Sequence, residues 1–201
     1  DPNARIWLHW NKEFETISAS ESDFSKFEGR TVIIGTTAEG LGGIIATPIG
    51  NLGDITFRAI ETLKNVDLVL AEDTRHSKKL FDHYEIKSPL TAFHEHNENE
   101  KASGIISEIN SGKSIALISD AGTPLISDPG YQLVSEAKKT GINVVPIPGP
   151  NAAIAALSSS GIASSSFSFF GFLPSKQISR LKVLKTKRSL NETIIFYESP
   201  K

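Results

Sequence analysis

The residues best suited to grip a ligand lie in three short stretches rich in glycine, proline and aspartate. The longest, Asp120–Gly130 (DAGTPLISDPG), holds two Asp, two Gly and two Pro within eleven residues. That is more turn-forming and φ-restricting chemistry than a plain connection needs. A loop stiffened this way has little ordering entropy left to lose on binding. Asp128-Pro129 also suits a helix start, with Asp at the cap and Pro in the first turn. An earlier stretch, Ala46–Thr56 (ATPIGNLGDIT), allows a tight turn and close backbone approach to a ligand, although an ordinary strand-to-helix turn would read the same way. Its glycine spacing is not a dinucleotide fingerprint, and the Lys-Ser/Thr pair of a phosphate loop is missing. The third stretch, Pro146–Ala153 (PIPGPNAA), opens a helix in which Ala152, Ala153, Ala155, Ala156 and Gly161 permit close packing against a neighbour or a flat ligand.

Two clusters carry titratable groups. Glu72-Asp73-Thr74-Arg75 combines acids with a guanidinium, while Asp73 or Thr74 is equally suited to cap a following helix. His94-Glu95-His96-Asn97 has the residue types of a metal site, but no further ligands follow at the required spacing, so no metal is expected and a substrate-facing loop is favoured. The chain has no Cys, which excludes disulfides, thiolate metal sites and a Cys nucleophile.

Elements that position these residues are legible as alternating apolar runs and helical patterns. Strands are expected at Gly43–Thr47, Asp67–Glu72, Leu90–His94, Ser114–Ser119, Asn143–Ile147, Ser168–Gly171 and Thr193–Tyr197. Helices are expected at Thr56–Asn65, Arg75–Tyr84, Asn99–Ser111, Tyr131–Thr140, Ala152–Gly161 and Lys176–Ser189. Asp54 and Thr56 are candidate caps of the first helix, and Gly141 follows the fourth. The β-α-β-α order predicts a parallel sheet with helices on its faces, and ligands in such folds bind beyond the carboxyl ends of the strands. All three loops fall at such ends. The small polar run Ser158–Ser166 reads as a linker. Residues 43–160 are therefore expected to form one α/β domain and 161–201 the start of a second, incomplete one. Residues 1–42 contain one strand-like run, Thr31–Ile34, and stay unassigned.

Of the 201 residues, 39% are hydrophobic and 22% charged, and the net charge is -2. Such a composition excludes disordered and fibrous classes, and the charge provides no global basic field for a polyanion. No run approaches the roughly 20 apolar residues of a membrane span and no signal segment opens the chain, so a soluble, cytoplasmic protein is expected, organellar if the source is eukaryotic. The chain starts at Asp1 without any Met and stops just after the run Thr193–Tyr197, and is expected to be a fragment.

The runs ATPIGNLGDIT, EDTR (72–75), SDAGTPLISDPG (119–130) and PGPNA (148–152), followed in order by FFGFLP (169–174) and FYESP (196–200), resemble the tetrapyrrole methylase superfamily. Within it they match the branch of ribosomal RNA small-subunit (cytidine-2′-O)-methyltransferases. The resemblance covers residues 43–201. It implies two α/β domains with S-adenosyl-L-methionine in the cleft between them, the second domain truncated here, and a homodimer acting on 16S-type ribosomal RNA of the small subunit. By the same analogy Pro48 and Gly50 lie beside the donor, Asp120, Ala121, Gly122 and Thr123 with Ile126 and Asp128 line its pocket, Gly149, Pro150, Asn151 and Ala152 sit nearby, and Phe172, Leu173 and Pro174 form the second domain's wall.

Transfer to a ribose hydroxyl needs alignment of donor and nucleophile and help from a base or charge stabiliser. Glu72, Asp73 and Arg75 are the better candidates, with Arg75 able to hold a phosphate through two parallel hydrogen bonds while an acid orients the sugar; His94 and His96 are then read as facing RNA. The stretch 176–188 has six cations and no acid, including Lys176, Arg180, Lys187 and Arg188, while Ile178, Leu181 and Leu184 at helical spacing leave one face to pack. Such a strip can follow phosphates or simply be a solvated helix face. Rival readings are a superfamily member acting on a tetrapyrrole or a protein side chain, and a non-catalytic RNA-binding fragment. Against the macrocycle stands the first loop, PIGNLGD where macrocycle enzymes carry a GPGD type.

Overall fold

The computed structural model describes residues 43–198 and, ahead of them, only the strands β1 (Ile6–Trp7) and β2 (Val32–Ile33). The chain divides into two compact units, Asp1–Glu39 and Gly40–Lys201. In the first unit β1 and β2 pair in parallel, Ile6 opposite Val32 and Trp7 opposite Ile33. Every other residue of the 1–42 segment lies outside the described residues, as do Ser199, Pro200 and Lys201.

In the second unit the apolar runs become β3 (Gly43–Ile45), β4 (Leu68–Ala71), β5 (Leu90–Ala92), β6 (Ile115–Ile118) and β7 (Pro146–Ile147). They form one all-parallel sheet in the order β5-β4-β6-β3-β7. Between them run α1 (Phe57–Asn65), α2 (Thr74–His83), α3 (Glu98–Asn110), α4 (Tyr131–Lys139) and, after β7, α5 (Ala152–Ser159). The strands read as continuous apolar runs because both faces of a parallel sheet are covered. Leu70 and Leu117 of the sheet pack with Phe93, with Ala102, Ile105 and Ile106 of α3, and with Leu133 and Ala137 of α4. Each fully buried side chain of this size contributes about 1.5–3 kcal/mol relative to exposure.

β7 is shorter than expected. Pro146 cannot donate to a ladder and suits the sheet edge that β7 occupies, while Val145 joins only through its carbonyl, which accepts from the Ile44 N–H at 2.9 Å. Thr56 caps α1, its Oγ1 accepting from the Ala59 N–H at 3.1 Å. Asp54 does not share that role. It ends a short 3-10 turn, Leu52–Asp54, whose own cap is Asn51.

Beyond α5, β8 (Phe167–Phe172) and β9 (Thr193–Tyr197) pair in parallel, with α6 (Gln177–Lys187) between them. Phe169 and Phe172 pack edge-on against Tyr197, and Phe170 stacks on Phe196. Tyr197 ties this piece to α5, its hydroxyl accepting from the Ala153 N–H at 3.3 Å. The apolar face expected to pack on α6 does not: Ile178 is 84% exposed, Leu181 48% and Leu184 39%. Among the described residues, the rings of β8 and β9 engage one another and leave this face uncovered.

Candidate active site

Three loops at the carboxyl ends of the sheet are bonded into one body. The Thr47 N–H donates to the Gly122 carbonyl at 2.9 Å and the Gly122 N–H returns to Thr47 at 3.0 Å, an antiparallel bridge between two loops of a parallel sheet. Beneath it the buried Thr47 hydroxyl donates to the Ser119 carbonyl at 3.0 Å. On the other side the Thr123 hydroxyl donates to the Pro150 carbonyl at 3.2 Å, and the Asn151 amide donates to Thr123 Oγ1 at 3.4 Å. Asn151 also caps α5, accepting from the Ile154 N–H. Pro48, Gly50, Asp120, Ala121, Gly122, Thr123, Asn151 and Ala152 are thus gathered at one end of β3, β6 and β7, with Ala121, Gly50 and Ala152 exposed.

The long loop is strained where it turns. Leu125 (φ 71°) and Ser127 (φ 70°) occupy the left-handed region, which costs an L-residue about 1–2 kcal/mol and persists only where surrounding structure dictates it. The turn leaves Ile126 40% exposed. Asp128 is not the cap of α4. That position is Gly130, at φ 125°, where a Cβ would lie 2.6 Å from Leu117 Cδ2. No side chain at position 130 can cap the helix, and Glu98 does so from the start of α3. Its buried Oε1 accepts from the Gln132 N–H at 2.7 Å and the Leu133 N–H at 3.2 Å.

Acids gather beside the loops. Glu72 follows β4, Asp120 follows β6, and Asp120 Oδ1 accepts from the Asp73 N–H at 3.1 Å. Burial pushes the Glu72 carboxyl up from its ordinary value, and the charges of Asp128 and Asp120 push it further. Burial likewise raises Asp128, against a hydrogen bond from Ser119 and with the charge of Asp120. A polar cavity of about 460 Å³ is lined by Glu72, Glu95, Glu98, Ser127, Asp128 and Tyr131, among others. Asp73 instead points to α2, capping it through the Arg75 N–H at 2.8 Å. The Arg75 guanidinium, expected to be free for a phosphate, folds back on the same carboxylate through Nε at 3.2 Å and Nη2 at 3.0 Å. These hydrogen bonds hold Asp73 down at about 2. Arg75 remains 91% exposed, so its outer edge stays open to solvent.

β8 rides directly on the strained loop. Gly171, at φ 67°, sits where a Cβ would lie 2.9 Å from Ser127 Oγ. The register of β8 shifts between Phe169 and Phe172, and Phe172 emerges 57% exposed. Leu173 is held by its N–H to the Tyr197 carbonyl at 3.4 Å. Phe172 and Leu173, two of the three expected wall residues, therefore follow directly after the point where β8 meets the 120–130 loop.

His94 and His96 lie in the loop after β5, their rings edge-on at 6.0 Å between centroids. His96 is exposed, whereas His94 is half-buried and braced by Asn97. Among the described residues no group of three or more His, Asp or Glu could hold a metal ion. In the basic stretch Lys176 and Arg188 are exposed at the two ends of α6. Arg180 is committed to the fold, with Nε on the Pro174 carbonyl at 3.1 Å and Nη1 3.5 Å from Glu198. Lys187 lies 4.0 Å over the Phe170 ring. Ser119, Glu98 and Tyr197 were not singled out from the sequence. Glu98 carries an ordinary signal, an acid in a helix first turn, and nothing local shows that it serves a second helix 34 residues on.

The stretch 44–201 matches the model of the family described as tetrapyrrole (corrin/porphyrin) methylases. Among curated relatives, the chain is 56% identical over 164 residues to ribosomal RNA small subunit methyltransferase I of Haemophilus influenzae, covering 82% of this chain and 58% of that one. It is 55% identical over 157 residues to the protein of the same name in Vibrio cholerae, covering 78% and 54%. To its counterpart in Bacillus subtilis strain 168 it is 51% identical, again covering 78% and 54%. The chain thus spans about half the length of these relatives. Among solved structures, a diphthine synthase superposes with a TM-score of 0.62 at 17% identity, covering 78% of this chain and 64% of that one. A uroporphyrin-III-C-methyltransferase from Thermus thermophilus superposes with a TM-score of 0.50 at 20% identity, covering 65% and 58%. These two likenesses concern the fold. No helix among the described residues is long and apolar enough to cross a membrane.

Proposed function

The chain belongs to the tetrapyrrole methylases, and on that premise we propose that it carries the donor-binding loops of an S-adenosyl-L-methionine-dependent enzyme that methylates a cytidine ribose 2′-hydroxyl in 16S-type small-subunit ribosomal RNA. The observation that carries the reading is the bonded body of three loops (Thr47 to Gly122, Thr123 to Pro150 and Asn151) beside the half-buried acids Glu72, Asp120 and Asp128. The names of the relatives support RNA as the substrate.

The residues present fit the donor by charge. Glu72 and Asp128 are both raised by burial, so a cation beside them relieves a cost the protein bears alone. When bound, the donor supplies an electrophilic methyl group on a positively charged sulfur. Pro48, Gly50, the turn Asp120–Thr123, Ile126, Asp128, Asn151 and Ala152 would hold it, and Phe172 and Leu173 would close the apolar side. A loop whose strain is already locked by its neighbours adds little ordering cost on binding. Glu72 is the best-placed base, because its raised proton affinity suits acceptance of the hydroxyl proton. Asp73 and Arg75 form a preset pair whose exposed edge can take a phosphate. His94, His96, Lys176 and Arg188 offer further RNA contacts, with Arg180 and Lys187 only in part, since both already serve β8 and β9. The working enzyme is proposed to be a cytoplasmic homodimer, or an organellar one in a eukaryote.

The test is transfer of a radiolabelled methyl group to small ribosomal subunits lacking the modification, using the protein at its full natural length. Label recovered in a single alkali-resistant dinucleotide is the expected result, since a 2′-O-methyl group blocks alkaline cleavage. Tight donor binding with no label in RNA would refute the assignment and bring macrocycle or protein substrates forward.

A further inference from the structure

A second cavity, of about 250 Å³, opens beside the first loop. Its wall comes from the loop after β3 (Pro48, Gly50, Leu52), from α2 (His76, Ser77, Lys79, Leu80) and from the end of β6 (Ile118, Ser119, Asp120). Pro48, Gly50 and Asp120 are among the residues assigned above to the donor, so this chamber adjoins the proposed donor loops, while it has no lining residue in common with the larger cavity. Ser77 is 4% exposed, and its buried hydroxyl has no hydrogen-bond partner among the described residues. Folded proteins rarely leave such a group unpaired unless something else uses it.

The two cavities differ in charge. The larger is walled by four carboxylates, Glu72, Glu95, Glu98 and Asp128. The smaller has one carboxylate, Asp120, against His76 and Lys79 on its exposed wall, with Lys78 and the Asp73-paired Arg75 exposed beside them. A phosphate chain is repelled by the first and meets its cations at the exposed rim of the second. The space is below the roughly 300–1,000 Å³ of drug-sized ligand sites, a scale for one nucleoside rather than a macrocycle. Leu52, Leu80 and Ile118 offer flat apolar surface, and Ser77, Ser119 and Asp120 offer polar groups, the pairing by which an unstacked base is held and read.

Resting on the RNA reading above, we propose that this chamber takes the acceptor nucleoside turned out of its strand, with Ser77 bonding its polar edge and His76 and Lys79 guiding the flanking phosphates. The experiment uses the protein at full natural length, unmodified small subunits, and the variants Ser77→Ala and Lys79→Glu. Ser77→Ala is expected to raise KM for the subunit about fivefold, the worth of one ordinary hydrogen bond. Lys79→Glu is expected to raise KM at least as much and to flatten its salt dependence, since one phosphate contact is lost. The donor Kd, read by calorimetry, should stay within about twofold for both, because neither side chain bonds the donor loops. Lys79 is exposed, so its variant tests the proposal even if Ser77→Ala is poorly folded. Wild-type KM in both variants would overturn the chamber while leaving the methylation reading intact. A donor Kd that weakens in step with KM would assign the space to the donor instead. A wild type that labels no RNA removes the reading and the chamber together.

Discussion

Glu98→Ala should uncouple the long loop from the helix that follows it. One buried carboxylate oxygen accepts two N–H groups in the first turn of α4, at 2.7 and 3.2 Å, where Gly130 supplies no side-chain cap. A hydrogen bond to a charged group contributes about 1.5–3 kcal/mol net, and a buried donor left unpaired costs about 1–3 kcal/mol. Because both bonds share one oxygen, the expected loss is about 3 kcal/mol rather than twice that. Glu98→Gln keeps an acceptor and loses only the charge, for about 1 kcal/mol. At about 2–4 °C per kcal/mol for a chain of this size, the Ala variant should melt about 6–12 °C lower. Thermal unfolding gives the magnitude, and hydrogen exchange at the Gln132 and Leu133 amides gives the place. Ser127 and Asp128 lie four and three residues ahead of Tyr131, where this helix begins, so donor affinity should fall with the Ala variant and much less with Gln. An Ala variant within about 1 kcal/mol of wild type with unchanged exchange at those two amides would refute the reasoning, since 1 kcal/mol is the worth of one neutral bond.

Gly171→Ala places a Cβ 2.9 Å from Ser127 Oγ at a φ of 67°; a loss of about 1–2 kcal/mol from the backbone alone is expected, and Ser127→Ala in the same chain should recover any excess, read as a double-mutant cycle by denaturant unfolding. Glu72 is raised by burial and then by Asp128 and Asp120, so its folding contribution is fully present below its ordinary value of 4.5 and is lost as pH rises through the raised value. Glu72→Gln should therefore gain stability over wild type only above that window, and donor affinity of the wild type should climb across it as the carboxylate ionises; a stability difference that does not vary with pH would count against this. Asp73 runs the other way: held at about 2 by the Arg75 side chain and N–H, it contributes stability that is present above 3.8 and lost as pH falls toward 2. Arg75→Ala should move the Asp73 carboxyl back toward 3.8 in an NMR titration, with little effect on melting at neutral pH because the pair is exposed.

The elements were legible because their signals are local. Thr56, Asp73 and Asn151 each cap a helix from its own doorstep, and the apolar runs of β3, β4 and β6 follow from burial on both faces. The three loops were legible as stiff turns for the same reason: their glycines and prolines act on their own backbone. What escaped depended on distance along the chain. Asp128 satisfies every local rule for a cap, yet Leu117 under Gly130 and Glu98 across the groove decide otherwise. Arg75 reads as a free phosphate clamp until Asp73 is seen to serve both its backbone and its side chain. The face of Ile178, Leu181 and Leu184 has the right period to pack, but period does not reveal whether a partner surface is there.

The strand order carries a consequence for the timing of assembly. β3 leads the sheet in sequence, yet its neighbours are β6 and β7, about 70 and 100 residues later, while β4 and β5 pair with each other at short range. As the chain leaves the ribosome, β3 and the loop behind it must wait for residues 115–118 before any ladder can form, and closure over such a span is slow. The bond between Thr47 and Gly122 cannot form before then. A nascent chain interrupted before β6 can hold a β4–β5 pair and even α2, but it has no first loop in working shape. Affinity for donor would therefore switch on late and abruptly, in the same step that closes the centre of the sheet.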